Sequence, residues 1–479
     1  MGSIYPGKIA SSRDLLNPIS PKSSKKKPLG ARAVALACLM DLEKGRFPEA
    51  ALEEHAAHLD RRDRALAAAL VYGVLRWRSR LDWILGRYLR YPDKPLPGVV
   101  LAILELGLFQ LIYLDRVPAS AAVNEAVNLA RKSGPPWSPK LVNGILRRID
   151  RAERLPEPAD FDLPPEETLA LTQAHPVWLV RRWIDELGLE ETGRLLEANN
   201  VRSPLTLRVN IVQAETKVLA DLLAGRVASV EKAAYSPEGL VIQAPTGPIS
   251  DLPGYAEGWF SVQDEAAQVI SHLVDPHPGE KILDACAGQG GKTFHLAALL
   301  HRSGGAVWGL DSDGFRLKQA QAEQSRLRSE SVHLVQADLM RAPFRPRTFD
   351  AVLVDAPCSN LGVIRRRPDI KWLKSSEDSS RLAERQIRLL ISAARLVKPG
   401  GRLVYAVCTL TREETTGVIH AFEKHHAEFS LRPAGTSLPK SAGAMVSPDG
   451  FLRAWPHRHG TDGFFAAVLE RSTHQPDID

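Results

Sequence analysis

Two cysteines stand where a thiol could act. Cys358 closes V-D-A-P-C (354–358), and Cys408 closes Y-A-V-C (405–408). With an unperturbed pKa of about 8.5, a thiol keeps a few per cent of soft, nucleophilic thiolate at neutral pH. Such a nucleophile suits a pyrimidine. Carbon 5 of cytosine attacks a methyl sulfonium poorly, but a thiolate added at carbon 6 turns the ring into an enamine-like nucleophile. An acid near ring nitrogen 3 would neutralise the developing charge, and Asp355 is placed for that. The hydrogen on carbon 5 must then leave and the Cys–C6 bond must break, a step for a second base such as the other thiol. The residues alone do not order the two cysteines. Each also reads as a small core hydrophobe, and the pair reads as a redox couple, which a cytoplasmic setting disfavours.

The methyl donor needs its own cradle. The run I-L-D-A-C-A-G-Q-G-G-K-T (282–293) carries Gly288, Gly290 and Gly291, where the backbone can turn sharply against a ligand. Three ligands compete. A dinucleotide fingerprint would want a small residue where Thr293 stands. A P-loop fits at Gly291, Lys292 and Thr293, but its first glycine would fall on Cys286. An S-adenosylmethionine (SAM) loop has Asp284 ending the preceding strand. Asp311 and Asp338 end or follow the next two strand-like runs, placed for ribose hydroxyls and an adenine amine; acids after all three favour SAM. Each of these Asp residues also reads as a helix cap. Lys292 could stabilise charge or hold Asp355.

These residues need a scaffold. Strand-like runs at 281–285, 306–310, 331–335, 351–354, 402–407 and 464–469 alternate mostly with helical stretches, which implies a largely parallel, doubly wound sheet. Ligands bind at the carboxyl ends of such strands, where both cysteines and the acids lie. The remaining chain divides by composition. Residues 1–30 form a basic tail, 31–150 are helical in period, 151–165 are a proline- and acid-rich linker, and 166–260 form a small α+β segment with strands at 204–211 and 240–242. The α/β domain occupies 261–472, before a tail at 473–479. The loop G-V-I-R-R-R-P-D-I-K-W (362–372) places Arg365, Arg366, Arg367, Lys371 and Trp372 after Cys358. It reads as a surface that tracks and stacks single-stranded RNA, or as a solvated charge run.

Length, 479 residues, allows about three domains. Apolar residues at 44% and charged residues at 25% are ordinary for globular chains and argue against disorder. Net charge is +6, compatible with a nucleic-acid partner. No apolar run reaches membrane-spanning length, no signal peptide is evident, and the four cysteines show no zinc spacing. A cytoplasmic monomer without membrane or metal partners is expected.

The motifs F-S-V-Q-D-E-A-A-Q (260–268), 284–293, D-A-P-C-S-N-L-G (355–362), 364–372, 404–413 and G-T-D-G-F-F-A-A-V-L (460–469) resemble the Nop/Sun family of RNA cytosine-5 methyltransferases. Segments 175–183 and 203–210 match its pre-catalytic part, so the resemblance covers about 165–470. The helical region 31–150 resembles, in pattern and position, the NusB-like RNA-binding domain that precedes one subtype. The resemblance implies an all-α NusB-like domain, a small α+β segment and a Rossmann-like SAM-dependent methyltransferase domain. It implies that Cys286, Ala287, Gly288, Gln289, Gly290, Gly291, Lys292, Asp311, Asp338 and Asp355 contact SAM or shape its pocket. It makes Cys408 the nucleophile and Cys358 the aid to release, with Lys292 and Asp355 beside them. The likeness within the family is to bacterial enzymes of the small ribosomal subunit, which implies 16S rRNA, at an unstacked or loop cytosine, as partner. The chain departs from the family at C-A-A-P-G-G-K, which here reads C-A-G-Q-G-G-K, and in Thr409 where Ser is usual. A tRNA substrate, a P-loop hydrolase and a non-enzymatic RNA-binding assembly factor are the competing readings.

Overall fold

The computed structural model describes residues 29–473 apart from 246, 302 and 303. The basic tail at 1–28 and the end at 474–479 lie outside the described residues. Six helices build the first domain: Ala31–Leu42, Pro48–His55, Arg61–Tyr88, Gly98–Tyr113, Ala119–Ser133 and Ser138–Asp150. The long one starts where the Asp60 carboxylate caps the Asp63 N–H at 2.8 Å. Its buried Leu70, Val74, Leu81, Ile84 and Leu85 keep helical period, so it runs unbroken for 28 residues. Pro139 sits in the first turn of its helix, where no intrahelical N–H is lost. The segment 151–165 is packed, not loose: Arg80 forks onto Glu157 at 2.6 and 2.7 Å, and Phe161 meets Trp83 edge-on.

The middle domain holds a four-stranded antiparallel sheet of β1 (Leu205–Val209), β2 (Ser229–Lys232), β3 (Gly239–Gln243) and β4 (Phe260–Val262), ordered β2-β3-β1-β4. The α/β domain follows with β5 (Lys281–Asp284), β6 (Ala306–Asp311), β7 (Val332–Gln336), β8 (Phe349–Asp355), β9 (Val397–Val407), β10 (Phe429–Arg432), β11 (Leu452–Ala454) and β12 (Phe464–Arg471). The order β10-β12-β9-β8-β5-β6-β7 is parallel from β9 to β7, with β12 antiparallel to β9 and β11 paired to β12. Its central strands are buried on both faces, as a doubly wound sheet requires. Among the described residues no helix is long and apolar enough to cross a membrane.

The basic loop at 362–372 corrects an expectation. It is not an exposed RNA-tracking surface but a strut between domains. Lys371 is 1% exposed, and its ammonium donates to Arg76 O (3.1 Å), Ala174 O (3.0 Å) and Asn200 Oδ1 (2.9 Å). Trp372 Nε1 donates to Leu75 O at 2.7 Å, with its ring against the N-terminal core. Arg365 is buried on Gly460 O and Thr461 O, and Arg367 pairs with Asp369 and Glu49. Buried carbonyls without partners are costly, and these cations satisfy them. Arg366 alone of the five lines the cleft that also holds Cys408 and Lys292.

Candidate active site

Strands β8 and β9 are parallel neighbours, with Asp355 opposite Ala406. Cys358 lies three residues beyond one and Cys408 two beyond the other, so the sulfurs meet, Sγ to Sγ, at 3.3 Å. The two loops are tied together behind them. Ser359 Oγ donates to Thr409 Oγ1 at 2.9 Å, so the hydroxyl that replaces the usual serine is a structural partner. Gly362 N donates to Cys408 O at 2.9 Å, and buried Glu414 accepts from Ser359 N (2.8 Å) and Gln386 Nε2 (3.0 Å). Asn360, in left-handed backbone at φ 62°, takes both thiols on its carbonyl oxygen, Cys408 at 2.9 Å and Cys358 at 3.6 Å. Sequence reasoning missed Asn360 and Glu414. For Asn360 the one signal was its tolerance of the left-handed turn.

The thiols differ in setting. Cys408 lines a cleft of about 350 Å³ together with Lys292, Asp355, Asp264, Arg366, Asp462 and Phe464. Cys358 is buried behind it, and the hydrogen bond to Cys408, with burial, holds its pKa well above the ordinary thiol value. Lys292 reaches Asp355 at 2.5 Å and lies 5.2 Å from the Phe464 ring centre. Burial opposes the ammonium, but adjacent Asp355 outweighs it and the Lys292 pKa is raised. Its engagement with Asp355 removes the lysine that a P-loop would direct at phosphate. Arg366 bridges Asp264 (2.7 Å) and Asp462 (2.6 Å), and burial with the Asp264 charge pushes Asp462 up to about 7.

The glycine turn packs against the acids. Gly290 is left-handed (φ 84°), and a Cβ there would sit 2.2 Å from the Phe294 ring. Gly288 N donates to Asp311 Oδ2 at 2.8 Å, and Gln289, where the family has proline, ties the turn to Gln319 at 2.9 Å. Ala287 and Gly291 flank this turn. Cys286 is mostly covered, and burial raises its thiol pKa far from the nucleophilic range. Asp338 is exposed and caps Met340 N at 3.0 Å. Asp284 accepts from Thr293 Oγ1 at 2.7 Å, while its buried Oδ1 has no hydrogen-bond partner.

Two predictions arise from this geometry. A Cβ on Gly362 would lie 2.0 Å from Gly463 O and 2.9 Å from Cys408 O, so Gly362→Ala must displace the Cys408 loop. Methyl transfer by that variant is expected to fall at least about 100-fold, since misplacement near 1 Å has that effect; steady-state rates read it. Burial pushes Asp284 up to about 6 from 3.8. Between those values the folded chain holds a proton that the unfolded chain has released, so stability falls as pH rises through the window. Two units correspond to about 3 kcal/mol. Asp284→Asn is therefore expected to flatten the decline of Tm between pH 4 and 6 in cofactor-free protein, measured calorimetrically.

The doubly wound sheet, the glycine turn ringed by strand-end acids and the open cleft beside it define a SAM-dependent methyltransferase. Comparisons with known proteins narrow this. The family description "16S rRNA methyltransferase RsmB/F" matches residues 271–470, "NusB family" matches 29–151, and an RsmF/B-like ferredoxin-like domain matches 175–249. A probable ribosomal RNA small subunit methyltransferase B of Bacillus subtilis (strain 168) is 36% identical, covering 93% of this chain and 99% of its own. The ribosomal RNA small subunit methyltransferase B of Pseudomonas syringae pv. tomato is 36% identical over 85% of this chain and 89% of its own. Among solved structures, PH0851 superimposes with a TM-score of 0.75 at 29% identity, covering 94% of this chain and 100% of its own. A methyltransferase homolog from Pyrococcus horikoshii gives 0.55 at 26% identity, over 64% and 99%. The chain belongs to the RsmB/F family of SAM-dependent 16S rRNA methyltransferases, with a NusB domain at its N-terminus.

Proposed function

We propose that the protein methylates carbon 5 of an unstacked cytosine in 16S rRNA through a covalent bond between Cys408 and carbon 6. The observation that carries this is the thiol pair, 3.3 Å apart, with Cys408 at the cleft wall and Cys358 behind it. The cofactor's surroundings agree. Asp311, held against the glycine turn by Gly288 N, suits ribose hydroxyls. The partnerless Oδ1 of Asp284 is an acceptor for an ammonium group. Cys286 to Lys292 shape the groove, Asp355 closes it, and exposed Asp338 suits the adenine amine. When bound, SAM supplies an electrophilic methyl.

The residues then divide the work. Cys408 as thiolate bonds to carbon 6, and the charge moves into the ring towards O2 and N3. The Lys292 ammonium, oriented by Asp355, offsets that charge, which is worth most in a partly desolvated site. Carbon 5 bonds to the methyl as the methyl's bond to the sulfonium sulfur breaks, and that sulfur leaves as a neutral thioether. Cys358 then takes the carbon 5 proton and passes its own thiol proton to the Cys408 sulfur as the Cys408–C6 bond breaks, so the carbon 5 electron pair returns to the ring and both cysteines end as thiols. Phe464 at the cleft wall offers a face for the extruded base.

Labelled SAM and unmethylated small-subunit RNA test this. Methyl incorporation should vanish in Cys408→Ala; incorporation that survives removes the nucleophile.

A further inference from the structure

We propose that Glu238, His272 and His295 form a binding site for a divalent zinc-class ion that clamps the middle domain to the catalytic domain. Glu238 precedes β3 of the middle domain. His272 ends helix Glu265–Leu273, and His295 lies on helix Gly291–Leu300. Glu238 Oε2 is 2.8 Å from His272 Nε2 and 3.7 Å from His295 Nε2, and one ligand atom from each residue falls within 4.8 Å of the others. In tetrahedral zinc with bonds of about 2.0–2.1 Å, ligand atoms stand roughly 3.3 Å apart, so the set closes by movements on the order of 1 Å.

His295 supplies the second, independent observation. It is 1% exposed, and neither ring nitrogen has a hydrogen-bond partner; 3.7 Å to Glu238 is too long for one. A buried imidazole of this kind is rare, because its lone pair lacks a partner. The His272 and His295 rings stand edge-to-face with centres 5.3 Å apart, which lets both nitrogens address one point. Two imidazoles and a carboxylate favour zinc over calcium or magnesium.

Other groups bear on the cluster. Ser236 Oγ lies 3.4 Å from Glu238 Oε2 and bonds Gln268 at 2.7 Å. Arg208 is the neighbouring cation, but its guanidinium is engaged by Gln263 Oε1 (2.6 Å) and Gly291 O. His295 is three residues after Lys292, so a bound ion would fix the start of the helix that carries the cleft lysine.

The test uses the full chain purified without added histidines, equilibrated with Zn²⁺, desalted and measured by elemental mass spectrometry. About one zinc per chain is expected, with chelation lowering Tm by several degrees because the ion binds the folded form. His295→Ala and His272→Gln should each lose the zinc and the chelator response; half-buried His272 gives the second variant should the first not fold. Cys358→Ser/Cys408→Ser should keep both. Co²⁺ loading should give weak visible absorption without thiolate charge-transfer bands. No stoichiometric zinc in the parent protein, or zinc lost with the cysteines but kept without the histidines, overturns the proposal.

Discussion

Cys358→Ala is expected to leave the protein covalently attached to its RNA. The Cys358 sulfur is 7% exposed by residue, touches Cys408 and is held as a thiol by that contact and by burial. It is therefore placed to relay the carbon 5 proton, not to open the reaction. General base assistance is worth about 100- to 10,000-fold. Its loss should let addition and methyl transfer proceed while elimination stalls. A slowed protein–RNA band should accumulate on denaturing gels, methyl incorporation should stop near one per chain, and turnover should fall at least about 100-fold. Cys358→Ala/Cys408→Ala should show no band. Unchanged turnover with no band would exclude the release role.

Lys371→Met has the largest expected effect on stability. The change removes three donated hydrogen bonds that reach Arg76, Ala174 and Asn200 from one buried ammonium. Methionine fills a similar volume but leaves carbonyl acceptors without partners, at about 1–3 kcal/mol each. Burying the ammonium is itself unfavourable, which its lowered pKa records, and this offsets part of the loss. A net cost of about 3 kcal/mol corresponds to a Tm lower by roughly 5–10 °C. Proteolysis within 151–165 should also quicken as the N-terminal domain loosens. An unchanged Tm with weakened RNA binding would instead restore the RNA-contact reading of this loop.

The contrast between these two residues shows what the chain makes legible. Cysteines at the ends of two apolar runs could be placed together, because a doubly wound sheet sets the carboxyl ends of parallel strands along one edge. The six strand-like runs read from sequence match β5 to β9 and β12 closely, since buried strands are continuous apolar runs. Short β2, β4, β10 and β11 escaped, being three or four residues long with little alternation. The R-R-R-P-D-I-K-W charges carried no such signal. A cation that satisfies buried carbonyls from other domains looks the same in sequence as a solvated one, because its partners lie 171 to 295 residues away. Glu414 was hidden for the same reason: the donors to its carboxylate converge only once β9 and helix Ser376–Ala394 pack.

Mapping of 5-methylcytosine along 16S rRNA, in cells with the gene, without it and with Cys408→Ala alone, tests the chemistry most directly. One cytosine should carry the mark with the intact gene and lose it in both other strains. An rRNA methylation that depends on the gene yet persists in Cys408→Ala, or sits on another atom, would contradict a thiolate-initiated transfer to carbon 5.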